Sequence, residues 1–178
     1  GFLAQLLMAK SLGATALGLF YAVTSLVAVL GLLAVQGYPA VTTRFLARYR
    51  ERPALAAAYV RTAARHAALG TAIAAAGLVA VALAWPFATE TTSAGLLIGA
   101  ACLPFLAMLG HSAAVAAANR RFDIAYIPES LARPVLFLGG VVALAALGAP
   151  GSGPLAIGLF AAITAGAALV QAALAARL

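Results

Sequence analysis

The sequence predicts an all-α polytopic membrane bundle of about six transmembrane helices, the first of them truncated. Three observations carry this. Hydrophobic residues make up 65% of the chain and charged residues only 8%, against roughly 25% charged in an ordinary soluble domain. The apolar residues come in runs long enough, at about 1.5 Å per residue, to cross a hydrocarbon core of about 30 Å. The charges gather where those runs end, and ten of the fifteen are arginines.

Residues 1–9 are apolar but reach only about half the length of a span, so they form the end of a first helix, and Lys10–Ala16, with Gly13, is the short connection. The second span is 17–38. Leu17 to Val35 holds nineteen residues without a charge, and Pro39 should kink or end this helix because it lacks a backbone donor. From Arg44 to Arg65 there are six arginines against Glu51 alone, a basic loop in which Pro53 can open the next helix. A third span, 66–87, closes on Trp85-Pro86-Phe87, with aromatics suited to a headgroup boundary and a proline suited to a helix end.

The fourth span, 94–118, carries Pro104 and His111 and ends at Asn119-Arg120-Arg121. A loop with Asp123 and Pro128 leads to the fifth, 130–147, where Glu129 and Arg133 stand one helical turn apart and so share a face. Residues 149–153, Ala-Pro-Gly-Ser-Gly, are a turn, and the sixth span, 154–176, ends at Arg177. Ten arginines then fall on one side of the membrane (Arg44, Arg48, Arg50, Arg52, Arg61, Arg65, Arg120, Arg121, Arg133 and Arg177), facing Lys10 and Glu90 on the other. By the positive-inside rule the arginine side is cytoplasmic.

A formal net charge of +7 raises the question of nucleic acid. The arginines sit beside apolar spans and are not interleaved with stacking aromatics, so membrane topology accounts for them and no nucleic-acid partner is expected. The single cysteine, Cys102, lies within a span and offers neither a disulfide framework nor a metal pattern. Glu51, Glu90, Asp123, Glu129 and two histidines are scattered without ligand-like spacing, and no nucleophile constellation appears. Neither an enzyme, a metal nor a cofactor is expected.

Several segments resemble a known family. Leu12-Gly13, Gly18-Leu19-Phe20, Gly37-Tyr38-Pro39 and Thr43-Arg44-Phe45-Leu46-Ala47-Arg48-Tyr49 are similar to the second-helix region of polysaccharide flippases. These are the lipopolysaccharide O-antigen transporters of the multidrug/oligosaccharidyl-lipid/polysaccharide, MATE-like, superfamily. The resemblance is strongest over 9–52, and the Asn119-Arg120-Arg121 loop agrees with it. It departs at Ala14-Thr15-Ala16, where such proteins often carry acidic residues. The resemblance implies one six-helix lobe of a two-lobe, alternating-access transporter in a bacterial inner membrane, with a second six-helix half in the same protein. It implies as cargo an oligosaccharide on a polyprenyl pyrophosphate, moved from the cytoplasmic to the outer leaflet, with membrane lipids as the other partners. The alternatives are a cation-coupled multidrug exporter of the same superfamily and a membrane subunit that transports nothing.

An anionic pyrophosphate calls for arginine, whose planar fork of donors matches phosphate oxygens. Arg44 and Arg48, one turn apart, are candidates at the cytoplasmic mouth, where contact with anionic lipid would also account for them. Arg133 is a third, with pairing to Glu129 as the alternative. Tyr21, Ser25 and Gln36 fall within a sector of about 60° on the second helix, as a cavity-lining polar stripe would. His111, an ionisable residue inside the fourth span, is a candidate proton relay or a hydrogen-bonded packing residue. Gly95 and Gly99, like Gly158, Ala162 and Gly166, have the spacing of helix-packing stripes.

Overall fold

A computed structural model describes the backbone of residues 2–49, 51–86, 88–147 and 152–177, and the side chains of 8–10 and of those from 13 onward. Arg50, Phe87, the Leu12 side chain and the 149–151 part of the expected turn lie outside the described residues. Among the described residues every regular element is helical: α1 (Phe2–Ala34), α2 (Tyr38–Arg48), α3 (Pro53–Ala84), α4 (Glu90–Ala118), α5 (Phe122–Tyr126), a π-helical segment (Ile127–Ala132), α6 (Arg133–Ala146) and α7 (Gly153–Ala175). Five stretches, Gly13–Ala34, Pro53–Ala84, Glu90–Ala118, Phe122–Ala146 and Gly153–Ala175, are long and apolar enough to cross a membrane. The chain is an all-α polytopic membrane bundle.

The boundaries differ from expectation where glycine and proline were read as loops. The connection expected over Lys10–Ala16 is a break at Gly13 alone, whose φ of 76° and ψ of 167° interrupt an otherwise continuous α1; glycine enters this region without the Cβ clash that other residues meet. The helix before Pro39 ends at Ala34, and Pro39 does not terminate it but sits in the first turn of α2, where a missing N–H goes unneeded. Gln36 and Gly37 make the turn between them with φ of 48° and 74°.

The basic loop therefore contains a helix. Tyr38, Thr42, Phe45, Leu46 and Tyr49 are buried or half-buried while Val41, Arg44, Ala47 and Arg48 are exposed, a one-faced pattern of helical period. Pro53 opens α3 as expected, and the helix stops at Trp85 (φ −75°, ψ 112°) because the residue before a proline is driven toward extended backbone. Thr89 caps α4 by accepting a hydrogen bond from the Thr92 amide at 3.2 Å, and Ser152 does the same for α7 with the Leu155 amide at 3.3 Å.

Between α5 and α6 the expected loop is absent and the fifth span begins at Phe122. Pro128 and Pro134 have no N–H to give to the carbonyls of Ile124 and Ser130, so the ladder slips by one residue, and the Arg133 amide donates to the Pro128 carbonyl. Glu129 and Arg133 flank this wider turn and form no ion pair; the one ion pair among the described residues joins Arg121 and Asp123 at 2.9 Å, both exposed.

The hub is α4, which packs against α1, α2, α3, α5 and α7. Gly95 and Gly99 make this possible, as expected: a Cβ at Gly99 would come within 2.8 Å of Val27 and 2.9 Å of Val23, and one at Gly95 within 3.0 Å of Ile157. Gly158 and Gly166 do no such thing, since a Cβ on either meets nothing within 4 Å. The main core joins Phe20, Val23, Val27, Leu78, Leu96, Leu103, Phe137 and Ile157. Large apolar residues such as Leu32, Leu69, Ile73, Leu83, Val135 and Leu169 remain exposed around the outside, the side a bilayer covers. The α1–α2–α3 and α4–α5 connections and the last turns of α7 share one end, where Gln171 Nε2 donates to the Ala125 carbonyl at 3.2 Å. This is the basic end.

Candidate functional site

One arginine does not sit at that end. Arg133 is the first residue of α6, and its guanidinium carbon lies 5.5 Å from the centre of the Phe160 ring on α7. In its own span, Phe122–Ala146, Arg133 stands 11 residues from the start and 13 from the end, so it lies near the middle of the span. A sequence count that places Arg133 on the basic side, at the start of a span beginning at 130, is thus corrected: the residues preceding it, expected as a loop, are helical and carry it inward.

The surroundings are aromatic. Phe20 stacks on Phe137 at 5.6 Å and meets Phe160 edge-on at 6.2 Å, while Phe137 and Phe160 meet edge-on at 6.0 Å. Tyr21 completes the cluster, edge-on to Phe20 at 5.4 Å, with a buried hydroxyl that has no hydrogen-bond partner among the described residues. Arg133 and Tyr21, far apart in sequence, are brought to one aromatic cluster formed by α1, α6 and α7.

Half-buried, Arg133 makes no hydrogen bond or ion pair with any described residue. A central charged residue disfavours insertion by about 2.5–3.5 kcal/mol, and a cation–π contact returns about 0.5–2. The contact leaves the five N–H donors of the guanidinium without a partner among the described residues, and their planar fork suits an anion. Phe20, Phe137 and Phe160 were not legible as site residues, although Phe137 follows Arg133 by one helical turn and could have signalled the shared face.

The other candidates divide. Arg44 and Arg48 project from the exposed face of α2 at the basic end, with Arg48 leaning over Tyr49 at 5.9 Å. Aromatic contacts fix this helix on α3: Phe45 lies 4.2 Å from Tyr59 and 4.4 Å from Tyr49, and Tyr38 stacks on His66 at 5.5 Å. The stripe of Tyr21, Ser25 and Gln36 does not form. Ser25 is exposed, and Gln36 lies outside α1 in the left-handed turn, so helical phase no longer relates it to the other two. His111 is half-buried in the half of α4 nearer the basic end, and its Nδ1 finds no partner among the described residues.

Among the described residues no three of His, Cys, Asp or Glu gather as a metal site. No known protein family, characterised protein or solved structure matches the chain.

Proposed function

We propose that this chain forms one lobe of a MATE-like flippase that moves a lipid-linked oligosaccharide across a bacterial inner membrane by alternating access. The observation that carries this reading is Arg133, a guanidinium near mid-span with no anionic partner among the described residues, lying over an aromatic ring. A helix bundle that only anchors or scaffolds has no use for an unpaired central charge, and intramembrane ionisable residues generally mark substrate or ion paths. A phosphate or pyrophosphate is the anion that a planar fork of donors fits best. Arg44 and Arg48 on α2 give the same chemistry at the basic end, so an anionic headgroup captured there has a second station inside the membrane. The basic end is cytoplasmic in this reading, by the positive-inside rule.

The test is glycan export in cells lacking their own flippase. Arg133→Gln keeps the length and polarity of the side chain but removes its charge. One charge-assisted interaction is worth about 1.5–3 kcal/mol, so export should fall by roughly ten- to a hundredfold at unchanged membrane abundance. Arg133→Lys should recover part of it. Wild-type export by a well-expressed Arg133→Gln protein would defeat the proposal.

A further inference from the structure

On the face of α4 opposite Cys102, and so away from Arg133, a groove of about 430 Å³ separates α4 from α3. Its α3 wall is Ala64, Ala67, Ala68, Thr71 and Ala72, and its α4 wall includes Pro104, Met108 and His111. The alanines are too short to close the gap. Thr71 adds no polarity, because its hydroxyl donates to the Ala67 carbonyl at 2.8 Å. Ala64, Ala68, Ala72 and Pro104 of the lining are themselves exposed, so the groove opens sideways into the hydrocarbon of the bilayer.

Two polar groups mark its basic end. His111 lines the groove and has a buried Nδ1 without a hydrogen-bond partner among the described residues. Arg61 lies about one turn beyond Ala64, near the same face of α3, exposed and without an ion pair among the described residues. An empty apolar groove forfeits dispersion contacts along its whole lining. A chain that fills it from the bilayer would carry its headgroup up to Arg61.

We propose that the α3/α4 groove is a binding site for one acyl chain of an anionic phospholipid, whose phosphate rests on Arg61 and whose polar backbone reaches His111. The occupant comes from the surrounding bilayer and not from any transported cargo, because the groove faces lipid and α4 divides it from Arg133. This assignment depends on the membrane fold alone, and loss of export without loss of the lipid leaves it intact.

The test uses the purified protein in detergent. In a Trp85→Phe background, Ala101→Trp places the sole tryptophan at an exposed position of α4 one turn from Pro104, beside the groove and outside its lining, and its quenching by dibrominated phosphatidylglycerol is compared with that by dibrominated phosphatidylcholine. Phosphatidylglycerol should quench at lower concentration. Adding Arg61→Gln should weaken that lipid by about fivefold, the worth of one arginine at an anionic lipid surface, and leave phosphatidylcholine unmoved. Retention of phosphatidylglycerol by native mass spectrometry should fall in Ala68→Phe, which fills the groove, and persist in Ala76→Phe, which adds the same ring to an exposed position of α3. Equal quenching by the two lipids, or equal losses in the two phenylalanine variants, would overturn the proposal. So would displacement of phosphatidylglycerol by an equal concentration of a polyprenyl phosphate.

Discussion

Arg44 and Arg133 pose the same chemical problem at different depths. At the end of the span, Arg44 has water on one side, and a lysine there keeps the charge but loses the bidentate fork. Arg44→Lys should therefore retain part of glycan export and Arg44→Ala nearly none, with unchanged abundance by blot; Arg52, exposed at the start of α3, should tolerate replacement. Full export by Arg44→Ala would leave Arg44 as a topology signal only. Arg133 and Tyr21 could be named as candidates from the sequence, arginine as the side chain whose fork suits phosphate, but the phenylalanines around them could not. Nor was the depth of Arg133 legible. Pro128 among charges reads as a loop that leaves Arg133 at the shallow start of a span beginning at 130, whereas here Pro128 and Pro134 produce a wider helical turn that continues the span. Gln36 failed for a related reason, because helical phase stops meaning anything once the backbone turns left-handed.

At the scale of elements, the spans were legible from apolar run length, and α3, α4 and α7 keep their expected far ends to within a few residues. What composition hides is α2, whose arginines mask a buried face of Thr42, Phe45 and Leu46. Contacts between spans are a matter of shape, since lipid tails are as apolar as the side chains themselves. Two glycines test this. Gly99→Ala drives a methyl against Val23 and Val27 and should destabilise the bundle by about 1–3 kcal/mol, seen as a lower melting temperature in detergent. Gly77→Ala, where a Cβ meets nothing within 4 Å, should be neutral or add roughly 0.5–1 kcal/mol by stiffening the helix. Equal melting of the two variants would refute the role given to Gly99.

For the molecule as a whole, charge gives the direction. Arg44, Arg48, Arg52, Arg120, Arg121 and Arg177 all belong to the end where α2 meets α4, while Lys10 and Glu90 belong to the other. With Arg133 removed from the count for that side the asymmetry remains, and the short loops predict that end to be cytoplasmic. Phosphatase and fluorescent-protein fusions at Arg120 and Thr91 check it. Phosphatase activity from the Arg120 fusion would reverse the orientation and with it the direction of the proposed export.

The slipped turn at 127–132 also makes the fifth span tolerant of a lost residue in a way its composition conceals. A π turn holds one residue more than the α turn it replaces, so deleting Leu131 would let the ladder close as plain α-helix and leave an apolar span of nearly unchanged length. The wider turn spends its extra residue within one rotation, so the deletion would leave Phe137 and Arg133 facing α7 much as before. Membrane insertion and the proposed export should both survive it, whereas an alanine added after Phe137, where no wide turn can absorb it, should turn the rest of α6 by about 100° and disturb both. The residue that the two prolines admit is thus one the span can lose without changing face.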